Sequence, residues 1–219
     1  MKNIKFVSWI LFFSCGLFFA CEKNNLNPID NQLDLDKIVI AGSNDSNGIY
    51  NLYTPTIKII EKETGCLFYS GFDSIDVDNN GNYDLKFQSR SQVPDLIGEC
   101  CDCPDDPDIF CDCWPSGRIY KFIQTIEVNF QIACDSSNRA ISFELNDTIE
   151  IWRNWINNNW ITLIDVYNFP PPETIYGNWN SIDDRYLGVR KIDTDTLYGW
   201  IKINLSETIE IKEIYLEKQ

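Results

Sequence analysis

The chain has 219 residues, a formal net charge of −15 at pH 7 and no histidine. So acidic a surface repels phosphate backbones and argues against nucleic acid as a partner. The lack of histidine excludes Ser-His-Asp and Cys-His catalysis and histidine-ligated catalytic zinc, leaving paired carboxylates for acid–base chemistry.

Lys2 and Lys5 precede an apolar run from Phe6 to Ala20. A run of about fifteen residues is too short to cross a bilayer as a stable helix and reads as an export signal over residues 1–20. It ends at Ala20-Cys21 and gives way abruptly to Glu22-Lys23-Asn24-Asn25. This junction resembles the type II lipoprotein signal, in which the cysteine, here Cys21, is lipidated and becomes the mature N-terminus. The expected partner is then a membrane, held through the lipid anchor, and the expected location is the outer membrane or cell surface. Ser14-Cys15 offers a second junction but would truncate the apolar core, and an ordinary secretory signal with Cys21 as a bystander is the alternative. Removing residues 1–20 takes away two lysines and no acid, so 18 basic side chains become 16 against 33 acids, and the charge falls from −15 to −17. Residues 21–36, poor in large apolar side chains, read as the lipidated cysteine and a flexible tether.

Residues 37–219 read as one domain. Segments dense in Ile, Val, Tyr, Phe and Thr recur between turn signals: Lys37–Ala41, Tyr50–Tyr53, Thr56–Ile60, Cys66–Tyr69, Ile119–Ile132, Ala140–Glu144, Thr148–Trp152, Trp160–Tyr167, Arg185–Ile192, Leu197–Leu205 and Thr208–Leu216. Helical periodicity is scarce. The pattern predicts an all-β fold, an antiparallel, jelly-roll-like β-sandwich ending in a hairpin around Ser206-Glu207.

Between Asp73 and Gln88 the pattern carries chemistry as well. Ser74, Asp76 and Asp78 alternate with Ile75 and Val77, Asn79-Asn80-Gly81-Asn82 tolerates positive φ, and Tyr83, Leu85 and Phe87 alternate on the way back. Asp76, Asp78, Asn80 and Asp84, with Gly81 after Asn80, begin the DxDxNG arrangement that wraps a hard cation in oxygen, so Ca²⁺ is the expected cofactor. The twelfth position, where an EF-hand needs glutamate, is Phe87, which excludes a helix–loop–helix site. The same residues also suit a plain polar hairpin turn.

Cys100, Cys101 and Cys103 face Cys111 and Cys113 across a proline-rich insertion at about 94–117, with Cys66 before it and Cys134 after. In an exported chain these seven are disulfide candidates, and an odd number leaves at least one thiol unpaired within the chain. A cross-link between the two C-x-C arms and a bridge from Cys66 to Cys134 are among the pairings the sequence allows. Four thiolates on zinc, or a redox role for Cys100 and Cys103, are the alternatives.

Trp152, Trp155, Trp160 and Trp179, interleaved with Asn154 and Asn157 to Asn159, mix flat apolar faces with amides as a glycan platform would, although they equally suit a sandwich core. Asp73-Ser74-Ile75, Asp147-Thr148-Ile149 and Asp195-Thr196-Leu197 resemble an O-glycosylation sequon.

Tyr186-Leu187-Gly188-Val189-Arg190 followed by Tyr198-Gly199-Trp200-Ile201-Lys202-Ile203, with Gly177-Asn178-Trp179 before it and Asp76 to Gly81 upstream, resembles the YxGxR…YGWIxI signature of uncharacterised exported β-sandwich lipoproteins of Bacteroidetes-type bacteria. The resemblance implies a sandwich and a surface location, not an activity. Read from the residues alone, Tyr186, Tyr198 and Trp200 are core aromatics, and Gly188 and Gly199 are close-packing positions. The resulting expectation is a non-enzymatic surface protein with a binding or structural role and a glycan or protein ligand. A carbohydrate-active enzyme using an Asp/Glu pair is the alternative from another class.

Overall fold

The structure is a computed structural model that describes residues 39–44, 48–65, 67–93, 117–150, 153–158, 160–167, 173–179 and 183–217. The signal segment, Cys21, the tether, Cys66, Cys100, Cys101, Cys103, Cys111, Cys113 and Trp152 lie outside the described residues.

The described residues contain no helix. In chain order the strands are β1 (Val39–Ile40), β2 (Ile49–Ile59), β3 (Lys62–Gly65), β4 (Phe68–Ile75) and β5 (Leu85–Gln92). They continue with β6 (Arg118–Thr125), β7 (Phe130–Cys134), β8 (Ser142–Phe143), β9 (Thr148–Ile149) and β10 (Asn154–Ile156). The last five are β11 (Ile161–Tyr167), β12 (Thr174–Tyr176), β13 (Arg185–Ile192), β14 (Thr196–Asn204) and β15 (Ile209–Leu216). One antiparallel sheet runs β12-β11-β6-β5-β4-β3, and a second runs β10-β7-β13-β14-β15-β2 with β8 also paired to β13. The chain changes sheet between β2 and β3, β6 and β7, β10 and β11, and β12 and β13. The expected antiparallel sandwich is therefore present, and β1 with β9 adds a two-stranded ribbon.

Period-2 alternation along β13 to β15 sorts side chains between two cores. Leu187, Val189, Ile201, Ile203, Ile211 and Ile214 meet Ile75, Leu85, Phe87, Ile123, Ile161 and Leu163 from the opposing sheet. Their alternate neighbours Tyr186, Tyr198, Trp200 and Tyr215 lie on the other face, buried with Val39, Ala41 and Ile149 of the ribbon. The YGWIxI residues are thus core aromatics and aliphatics, as expected. Gly199 is required by close approach: a Cβ there would lie 2.0 Å from the carbonyl oxygen of Tyr215.

β3, β10 and β12 lie outside the expected segments, and two boundaries differ for a physical reason. β2 is continuous across Pro55, because β2 is an edge strand and its missing amide hydrogen needs no ladder partner. Ile119–Ile132 is divided between β6 and β7, with the turn held by Asn157, whose Nδ2 donates to the carbonyls of Glu127, Val128 and Phe130 at 3.1, 2.7 and 2.9 Å. A side chain remote in sequence fixes that turn, so the local pattern does not announce it.

Candidate metal centre

The loop joining β4 to β5 is built by its own side chains. Asp76 accepts from the amides of Asn80 (3.1 Å) and Gly81 (2.7 Å), and Asp78 Oδ1 also accepts from Asn80 N–H at 3.1 Å. Asn79 and Gly81 take positive φ, 59° and 92°, which lets the chain fold back over these carboxylates. The carboxamides of Asn51 and Asn79 donate to each other at 3.1 and 3.2 Å, tying the loop to β2. Strand pairing ends at Ile75↔Leu85, so Asp76, Asp78 and Asp84 belong to the loop rather than to the longer hairpin that alternation predicts.

Asp76, Asp78 and Asp84 each bring one carboxylate oxygen to within 4.8 Å of the others. Asp84 is fully buried; its Oδ2 accepts from Val77 N–H at 2.6 Å and Asp78 N–H at 3.4 Å, while its Oδ1 has no hydrogen-bond partner. A carboxylate oxygen rarely stays buried unmatched, because the charge it carries needs a donor or a cation. Burial pushes the Asp84 carboxyl up to about 6, with the Asp78 and Glu127 charges adding to the rise against the lowering effect of the two amide donors. Lys191 of β13 places its ammonium 2.5 Å from Asp78 Oδ2, so a fixed positive charge already serves one edge of the cluster. The donors are hard oxygens on a preformed loop, a set that fits Ca²⁺. Asn80, the fourth expected ligand, uses its carboxamide to brace the turn, accepting from Asn82 N–H at 2.7 Å and donating to Asp78 Oδ2 at 3.2 Å.

Sequence reasoning found the three aspartates but not Lys191 or Asn51, which arrive from strands distant in sequence and carry no local signal.

The tryptophans do not form one platform. Trp179 is buried in the inter-sheet core, where its indole N–H donates to Ala140 at 3.0 Å, and Trp155 is buried under the ribbon against Tyr198. Only Trp160 of the three described is exposed, at 48 %. Alternation on β10 turns Trp155 inward, and Trp179 is buried from the connection after β12, as the core reading of these residues allows.

Cys134 is a free, buried thiol and not half of a disulfide; burial and the charge of Asp135 push it up to about 12. With it set aside, six of the seven disulfide candidates remain, all outside the described residues.

A shallow depression lined by Asp183, Asp184, Tyr186, Lys202, Asn204 and Leu145 also holds carboxylates. Burial raises the Asp184 carboxyl, but hydrogen bonds from Lys212 and Asn204 and the charges of Lys212 and Lys202 outweigh it and bring the group below its usual value. Asp184 is held as an anion there, the wrong state for a general acid.

No family model matches the chain, and neither curated proteins nor solved structures provide a match.

Proposed function

We propose that this protein is an exported, lipid-anchored β-sandwich of the cell surface with a non-catalytic, binding or structural role, and that Asp76, Asp78 and Asp84 hold a Ca²⁺ ion. The observation that carries the calcium reading is the partnerless, buried Oδ1 of Asp84 beside two further carboxylates. Ca²⁺ would give that oxygen a positive partner and join three loop positions into one rigid unit. The lipoprotein-like junction at Cys21 and the likeness to exported sandwich lipoproteins support the location.

The alternative is a glycoside hydrolase. Asp84 has the raised pKa a general acid needs, which favours it, but Asp84 is fully buried, where a glycosidic oxygen would have to be desolvated beneath the loop. The binding reading is therefore preferred. Calorimetric titration of the chelator-treated protein with Ca²⁺ tests it. One saturable site, lost in Asp84→Asn, is expected; absence of binding at millimolar Ca²⁺ would remove calcium from the account.

A further inference from the structure

The outward face of the six-stranded sheet carries a row of rings and cations that crosses five strands. On β6 the outward positions are Arg118, Tyr120, Phe122 and Gln124, because Ile123 on the alternate face lies in the core. Phe122 is fully buried beneath Trp160, ring centroids 4.4 Å apart, and Tyr120 lies 5.0 Å to its other side. The row continues through Tyr167 of β11 to Tyr176 of β12, 6.0 Å between centroids, and at its other end reaches Phe72 of β4. Trp160, Phe72 and Tyr176 are 48, 67 and 43 % exposed. Four inter-strand spacings give the row a length of about 19 Å, room for several sugar residues in a line.

The cations sit among these rings. Lys86 lies 4.2 Å over Phe72, Arg90 5.3 Å over Trp160 and 5.5 Å over Phe122, and Arg139 5.6 Å over Tyr176. The overall charge of 33 acidic against 18 basic residues repels polyanions, so recognition of an anionic ligand falls to local cations such as these three, none of which has a carboxylate partner among the described residues. Arg118, between Tyr120 and Tyr167, shows what such a position takes: its Nε and Nη2 each donate to the Asp165 carboxylate at 2.9 Å. Arg90 has comparable aromatic surroundings without a carboxylate partner among the described residues.

We infer that this face binds a uronate-bearing polysaccharide, with the sugar faces on Trp160 and its neighbouring rings and the carboxylates on Arg90 and the flanking cations. Rings supply apolar contact to the C–H face of a sugar, and a guanidinium meets a carboxylate with two parallel hydrogen bonds, which a neutral glycan cannot offer. The inference rests on the non-catalytic reading above; its face shares β4 and β5 with the aspartate loop but uses none of the three loop carboxylates.

Affinity electrophoresis of the purified protein through polygalacturonate, with neutral dextran and dextran sulfate as comparison gels, tests it. Retardation by polygalacturonate, none by dextran and less by dextran sulfate is expected, with binding at least tenfold weaker in Arg90→Gln and in Trp160→Ala. Arg90→Gln removes the guanidinium from an exposed position and leaves the core untouched, so it remains informative should Trp160→Ala fail to fold. No retardation, equal retardation by dextran sulfate, or binding that survives both substitutions overturns the assignment. Release of new reducing ends from the bound polymer would uphold the surface and instead overturn the non-catalytic reading.

Discussion

The ammonium of Lys191, on β13, lies 2.5 Å from the Asp78 carboxylate in the β4–β5 loop, with 13 and 6 % of the two side chains exposed. An ion pair this shielded from water couples the loop of one sheet to a central strand of the other. Its hydrogen bond to Asp78 raises the Lys191 pKa against the effect of burial, so the lysine stays charged at neutral pH. It also competes with any cation for Asp78. Lys191→Gln should therefore bind Ca²⁺ more tightly than the parent, by a factor of about ten, while melting at a lower temperature in chelator because Asp78 is left with a buried, unneutralised charge. Calorimetry and melting curves on the same samples measure both effects; weaker Ca²⁺ binding in the variant would show that Lys191 organises the site instead of competing for it.

Asp84 makes the metal-free protein sensitive to pH in a definite direction. Its carboxyl is raised in the folded state from the ordinary 3.8 to about 6, so the folded chain takes up this proton more readily than the unfolded one. The stabilisation is complete below the unfolded value and is lost as pH rises through 6, an effect of roughly 3 kcal/mol for a shift of that size. In chelator, Asp84→Asn, which keeps an oxygen to accept from Val77 N–H, should gain stability over the parent at pH 7.5 and converge with it near pH 4. Urea midpoints at the two pH values provide the measurement, and a parent–variant difference that does not change with pH would contradict the prediction.

Cys134 should be inert in the native protein. Burial and the neighbouring charge disfavour its thiolate, the species that reacts. A thiol reagent should label it only after unfolding in guanidinium, and peptide mapping should find it unbridged; rapid labelling of the folded chain would contradict its placement in the core.

Gly199 and Gly65 form a matched pair. A Cβ at Gly199 would meet the Tyr215 carbonyl oxygen at 2.0 Å, whereas one at Gly65 meets nothing within 4 Å. Gly199→Ala should cost about 3 kcal/mol or prevent folding, and Gly65→Ala should change the urea midpoint little.

Much of this fold is legible in the sequence because alternation writes it there. Leu187 and Val189 against Tyr186 and Arg190, or Ile201 and Ile203 against Trp200 and Lys202, follow the period of a strand. Alternation does not say which face is outermost, and in this molecule a ribbon buries the face that a two-layer sandwich would leave wet. Trp155 consequently lies under cover while Trp160, a few residues on, stands in solvent. The aspartates of the loop are legible from spacing alone, since their geometry is local. Lys191, Asn51 and the ring-and-guanidinium row are not, because each depends on which strands become neighbours. The Arg118, Tyr120, Phe122 alternation on β6 was the available hint of that row.

The most direct test of the calcium claim is thermal unfolding of the purified protein in excess Ca²⁺ and in chelator, because a ligand that binds only the folded state must raise its stability. A higher melting temperature in Ca²⁺, by several degrees at millimolar concentration, is expected, with loss of that difference when Asp76→Ala and Asp78→Ala are combined. Identical melting curves in Ca²⁺ and chelator would contradict it and leave the three aspartates as the scaffold of a turn.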